Sequence, residues 1–203
     1  MIRAIFTDLG GVCLSNGWDS ATRKLAAKHF KIDFAEMESR HNMIAGIYEE
    51  GKLSIDVYLD FVIYHREREF RRETFIAYMK AQSTPYPEML DLYRQIKAKH
   101  GTRMVAVSNE GRELADHRIK QFELSNLIDT FIVSSYVGYR KPDPNIFKIA
   151  LDVAQVAPNE IVYIDDRKML AEAAAKMGLR CLWHRSYSAT KSALAKHGLK
   201  VGK

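Results

Sequence analysis

The chain has 203 residues, 47% of them hydrophobic and 28% charged, with a formal net charge of +6. These proportions belong to a globular protein with a proper core, built as one large domain or one domain carrying an insertion, and they exclude a disordered or low-complexity chain. The basic residues form no long run: from Arg66 to Arg72 they alternate with Glu67 and Glu69, which reads as a solvated helix face and not as a nucleic-acid patch.

In chain order, Ile2–Thr7 reads as a short apolar strand that stops at Asp8, broken by Gly10 and Gly11. It is too short for a signal peptide, and no stretch is long and apolar enough to span a membrane. Cys13 and Cys181 lack metal-ligand spacing and read as free thiols of a reducing compartment, so a cytoplasmic location is expected. From Ser15 to Ser83 only helical patterns occur. Phe34, Met37, His41, Ile44, Ala45 and Tyr48 share one face, and Ile55, Tyr58, Leu59 and Val62 share another, opened by Ser54 as an N-cap.

After this segment the pattern alternates. Glu88–Lys99 is a helix ended by His100-Gly101, and Met104–Val107 is a strand ending at Ser108. Phe131–Val133 is a short strand, Asn145–Ala154 a helix, and Ile161–Ile164 a strand ending at Asp165. Met169–Met177 is a helix stopped by Gly178, and Leu179–Trp183 is the last strand. Strands alternating with helices predict an α/β fold with a Rossmann-like parallel sheet and helices on both faces. Residues 1–14 and 84–203 would form this core, with 15–83 an inserted all-helical cap domain lying over the sheet edge as a lid.

Ligands bind such sheets beyond the carboxyl ends of the strands, which is where Asp8, Ser108 and Asp165 fall. Four segments therefore carry the chemistry: Phe6-Thr7-Asp8-Leu9-Gly10-Gly11-Val12, Val107-Ser108-Asn109, Gly138-Tyr139-Arg140-Lys141-Pro142-Asp143-Pro144 and Ile164-Asp165-Asp166. A carboxylate after a buried strand can attack an electrophile covalently. Attack on a phosphate ester brings two anions together and needs positive charge, which Lys141, in a loop outside the core, and a cation held by Asp8 and Asp166 can supply. Ser108 can donate to a phosphoryl oxygen. Carboxylates converging on one site call for a hard cation, magnesium above all.

In this order the four segments resemble the haloacid dehalogenase-like hydrolases, in the subgroup with a helical cap between the first and second motifs. The likeness spans nearly the whole chain and is most specific from Gly138 to Pro144 and at Ile164-Asp165-Asp166. The resemblance implies that Asp8 is the nucleophile, that Ser108 binds the transferred group, and that Lys141 pairs with Asp8 and with that group. It implies that Asp166 is a direct magnesium ligand, Asp165 a ligand directly or through water, and the Gly10 carbonyl another. Asn109 follows as a support of the site at the substrate. The expected partner is a small phosphorylated metabolite, with no nucleic acid and no membrane, for a monomer or homodimer.

One position departs from the pattern. Phosphatases of this superfamily usually carry a second Asp two residues after the nucleophile, which protonates the leaving alcohol and then activates water. Here that residue is Gly10. Three readings stay open: a substrate with a good leaving group, replacement by His41 or Glu110, or a weak or non-catalytic member. His41 also reads as a packing residue, and Glu110 as a helix-start residue. Asn16 and Trp18 line the entrance or form a hinge, and Arg40 binds a substrate anion or stays on the surface. A 2-haloacid dehalogenase is the rival activity. It needs no metal and tolerates Gly10, but has no use for Asp165-Asp166.

Overall fold

The computed structural model describes residues 1–202. Its centre is a five-stranded sheet of β1 (Ala4–Thr7), β2 (Arg103–Ser108), β3 (Thr130–Val133), β4 (Ile161–Asp165) and β5 (Arg180–Trp183). The order is β3-β2-β1-β4-β5, with every pair parallel. Successive side chains on a strand face opposite ways, and both faces here are apolar. Ile5, Met104, Ala106, Val162 and Ile164 enter one core cluster. Ala4, Phe6, Val105, Val107 and Tyr163 enter the other. That two-sided burial is why the strands read as continuous apolar runs, as parallel sheets do.

Four helices lie within residues 15–83: α1 (Ser20–His29), α2 (Phe34–Glu49), α3 (Ile55–Val62) and α4 (Arg72–Ala81). They share a third apolar cluster, with Tyr58, Leu59, Phe75 and Met79 at its centre. The Ser54 cap on α3 is present, its side chain accepting from Val57 N at 3.3 Å. The stretch from Arg66 is not the solvated helix face expected: residues 66–71 are an irregular connection, and only Arg72 enters α4. Phe70 packs on Phe30 with ring centroids 4.5 Å apart, while Arg66 donates to the Glu36 carboxylate and Arg68 to Ile63 O. Anchoring one aromatic inward bends the chain where charge alternation alone would permit a helix.

The sheet is flanked by α5 (Pro87–His100), α6 (Arg112–Gln121), the single turn α7 (Ser134–Val137), α8 (Pro144–Ala154), α9 (Lys168–Ala175) and α10 (Tyr187–Lys196). Met89, Leu92, Tyr93 and Ile96 of α5 lie with Leu194 of α10 on one face. Ile146, Phe147 and Ala150 of α8 lie with Ala174 of α9 on the other. Among the described residues no helix is long and apolar enough to cross a membrane.

The strand order reverses at β1: β2 and β3 extend the sheet to one side, β4 and β5 to the other. Such a reversal opens a crevice beyond the strand ends. The register has Thr7 opposite both Ala106 and Ile164, and Asp8 N donates to Ile164 O at 2.8 Å. Asp8 is thereby delivered to the crevice beside Ser108 and Asp165.

Candidate active site

A cavity of about 650 Å³ opens over these strand ends. Asp8, Ser108 and Lys141 lie on its core side, and Trp18, His41 and Met79 come from the helical segment. Asp8 Oδ1 accepts from Leu9 N at 2.8 Å and from Ser108 Oγ at 2.8 Å, and lies 3.2 Å from Lys141 Nζ. Its Oδ2 has no hydrogen-bond partner among the described residues, so three donors fix one oxygen and leave the other available. Burial pushes the Asp8 carboxyl above the usual carboxylate range, with the charges of Asp165 and Asp166 adding to the rise and Lys141 and Ser108 opposing it.

Lys141 corrects one expectation. Although its loop reads as lying outside the core, its side chain is 1% exposed. Its ammonium also lies 2.8 Å from Asp165 Oδ2. Burial works against its charge, and the Asp8 and Asp165 carboxylates more than offset this, so Lys141 titrates above its ordinary value. Asn109 fixes the loop that carries it: Nδ2 donates to Lys141 O at 2.9 Å and Oδ1 accepts from Lys141 N at 2.8 Å. Both ends of the Asn109 amide thus serve to hold Lys141 in place.

Asp165 is fully buried. It accepts from Lys141, from the Tyr163 hydroxyl and, at 2.8 Å, from Arg167 N. Asp166 differs, because its Oδ1 is buried without a hydrogen-bond partner among the described residues. Burial and then the Asp165 charge raise the Asp166 carboxyl, against Asn16, Arg167 and Lys141. One oxygen from each of Asp8, Asp165 and Asp166 falls within 4.8 Å of the others. Three carboxylates therefore face one ammonium, and a buried carboxylate oxygen lacks a donor. An oxygen-liganded divalent cation fits that deficit of positive charge. Gly11 makes the cluster possible: it sits at φ +73°, and a Cβ there would lie 2.1 Å from Asp166 Oδ2.

Gly10 also lines the cavity. A Cβ built on it would meet Asn16 Oδ1 at 3.0 Å and Arg118 Nη1 at 3.9 Å. Arg118 Nη1 pairs with Glu110 Oε1 at 2.9 Å, both side chains being buried. Glu110 Oε1 is 3.0 Å from Ser108 Oγ, whereas its Oε2 is buried without a partner among the described residues. Asn16 and Trp18 both line the cavity, and Trp18 also packs edge-on against Phe75 at 5.8 Å. Arg40 belongs to the surface of the helical segment, 3.4 Å from Glu36 and over the Phe61 ring.

Arg118 and Arg140 were not singled out from sequence, yet both line the cavity, Arg140 paired with Glu49 at 2.7 Å. For Arg118 a signal existed. It lies one turn from Ala115 on the buried side of α6, and a charged residue on a helix face turned to the core needs a partner there.

A family model described as haloacid dehalogenase-like hydrolase matches residues 2–178. Bifunctional epoxide hydrolase 2 of Rattus norvegicus is 36% identical over 111 residues, covering 53% of this chain and 20% of that protein. The chain therefore spans a small part of that relative. Phosphorylated carbohydrates phosphatase of Thermotoga maritima is 24% identical over 192 residues, 90% of this chain and 84% of that one. A family enzyme of Bacteroides thetaiotaomicron, solved as a magnesium complex, superposes with a TM-score of 0.79 at 20% identity, covering 96% of this chain and 98% of its own. At that identity the likeness is one of fold.

Proposed function

This chain belongs to the haloacid dehalogenase-like hydrolases, and from that premise we propose that it is a magnesium-dependent phosphomonoesterase acting on a small phosphorylated metabolite through Asp8. The observation that carries the reading is the asymmetry of Asp8. Leu9 N–H, Ser108 and Lys141 hold its Oδ1, and Oδ2 is left to attack from the core side of the cavity.

In the first half-reaction an Asp8 oxygen forms a bond to phosphorus while the bond to the leaving oxygen breaks, giving an aspartyl-phosphate and an alkoxide or phenoxide. In the second, water attacks phosphorus, loses a proton, and releases inorganic phosphate and the Asp8 carboxylate. With substrate in place the single Ser108 hydroxyl hydrogen turns from Asp8 Oδ1 to a phosphoryl oxygen, and Lys141 neutralises charge beside Asp8, a role in which fixed donors carry most of the catalysis. Asp165 and Asn109 hold Lys141 in position. Asp8 and Asp166, with the Gly10 carbonyl beside them, would hold magnesium, which would supply positive charge to the phosphoryl group. The dehalogenase alternative leaves the unpartnered Asp166 oxygen without a purpose. The reading includes a cytoplasmic monomer or homodimer with no nucleic-acid partner.

Hydrolysis of phenyl phosphate with magnesium and with EDTA tests it. Activity is expected with magnesium and none with EDTA. Turnover of a 2-haloacid in EDTA would establish the rival, and no ester hydrolysis under any condition would overturn the proposal.

A further inference from the structure

His41 is built into a hydrogen-bond relay that the catalytic reading does not use. Trp18 Nε1 lies 2.9 Å from Tyr58 Oη, and Tyr58 Oη lies 2.8 Å from His41 Nδ1. An indole N–H can only donate, so Tyr58 Oη accepts from Trp18. The Tyr58 hydroxyl hydrogen then has one acceptor among the described residues, His41 Nδ1, which must be the bare ring nitrogen. The proton of the neutral imidazole is consequently on Nε2. Tyr58 is fully buried and stacked on Tyr48 at 4.6 Å, so its hydroxyl is not free to turn to another partner. The opposite ring nitrogen, Nε2, makes no hydrogen bond among the described residues, and it is not sealed off from solvent. His41 lines the cavity.

We propose that His41 reads the organic part of the substrate: its Nε2–H, oriented by Trp18 and Tyr58, donates a hydrogen bond to an oxygen acceptor on the leaving group. The inference rests on the phosphatase reading and adds a specificity-determining residue to it. The imidazole stays neutral, since burial and then the Arg23 guanidinium bring its pKa down to about 4 against the opposing charge of Glu38. A neutral donor offers little to a phosphate dianion that Lys141 does not already offer. Its gain comes from a hydroxyl, ether or carbonyl oxygen. Asp19, Ser20, Asn42, Glu49 and Arg140 are also among the lining residues, a polar wall suited to a polyol or sugar phosphate.

Two measurements test the inference. In the ligand-free protein, nitrogen chemical shifts of the His41 ring should report a bare Nδ1 and a protonated Nε2, and Tyr58→Phe should release that preference. Protonated Nδ1 in the wild type would overturn the relay whatever the protein hydrolyses. In kinetics, a panel of polyol and sugar phosphates is set against phenyl phosphate, which has no oxygen beyond its phosphate. A polar group left without its partner costs enough that His41→Phe should lower kcat/KM on the best oxygen-bearing ester about 10–100-fold, chiefly through KM. Phenyl phosphate should lose clearly less than the oxygen-bearing esters, and His41→Gln should recover part of their loss. Equal losses on both classes, or none, would overturn the assignment. Failure of every ester in the wild type would remove the phosphatase reading and the substrate contact with it, while the ring shifts would still decide the relay.

Discussion

At Gly10 the chain lacks a side chain where the resemblance implies a proton donor, and the neighbours define what that absence does. Without a donor the leaving oxygen must take its full negative charge, so alkyl phosphates should be penalised by about 3–5 kcal/mol relative to aryl or acyl phosphates. A plot of kcat/KM against leaving-group pKa should slope steeply. A flat plot would mean that another acid is in place, with Glu110 the buried candidate beside Ser108. Gly10→Asp should raise turnover on alkyl esters more than on aryl ones. The new Cβ comes closest to the end of the Asn16 side chain, at 3.0 Å, which must yield by a few tenths of an ångström, with Asn16 Cα at 3.6 Å and the Arg118 guanidinium at 3.9 Å in ordinary contact. Lys141→Ala should have two effects. Loss of a fixed positive donor should cut kcat about 10²–10³-fold. Because Lys141 is buried between Asp8 and Asp165, the variant should also unfold at lower urea than the wild type. Near-normal kcat would refute the role of Lys141, and an unchanged urea midpoint would refute its part in the core.

The helical segment docks on the core through α2 against α7 and through α4 against α6, with Tyr48 of α2 also reaching the start of α6. A Cβ on Gly111, the N-cap of α6, would lie 2.2 Å from the Tyr48 ring. Tyr48 Oη donates to Glu113 at 3.2 Å, and Glu113 Oε1 accepts from Ile55 N at 3.0 Å. Ser134 Oγ donates to Glu49 O at 2.6 Å. These contacts bring α2, α3 and α6 together around one glycine. Tyr48 is rigid and stacked on Tyr58, so Gly111→Ala should force α2 outward and destabilise the protein by about 1–3 kcal/mol, the usual cost of overpacking. Urea unfolding measures this, and an unchanged free energy would show that the α2–α6 contact yields freely. Element boundaries were legible where burial was strong: α8 begins at Pro144 after its Asp143 cap and ends at Ala154, one residue from the sequence reading. Helices α1 and α6 were not, because the face of each turned inward includes an arginine, Arg23 and Arg118, which breaks the apolar period by which a helix is recognised.

For the molecule as a whole, the metal-free state holds an excess of negative charge at the centre of its sheet edge, with Asp8, Asp165 and Asp166 gathered within 4.8 Å of one another. A ligand that binds only the folded state stabilises it by mass action. Magnesium at about 100 times its Kd should contribute about 2.7 kcal/mol, visible as a higher Tm. Asp166→Asn should abolish that shift, and it should raise the metal-free Tm by removing one of three like charges. A magnesium shift that persists in Asp166→Asn would place the ion elsewhere.

The chain positions and apolar character of the strands, the helical segment after β1, and the placing of Asp8, Ser108 and Asp165 at strand ends were determined by the sequence itself. Each follows from local rules: apolar runs bury on both faces, glycine and proline end elements, and parallel strands deliver their last residues to one edge. The tertiary structure alone decided the rest. Lys141 becomes a buried partner of two carboxylates, Arg118 finds Glu110 beside Gly10, and His41 takes its tautomer from Tyr58 and Trp18. These are pairings between residues whose partners stand on other elements. Whether a polar side chain meets water or a buried counter-charge depends on how helices dock, and no local period in the chain encodes that docking.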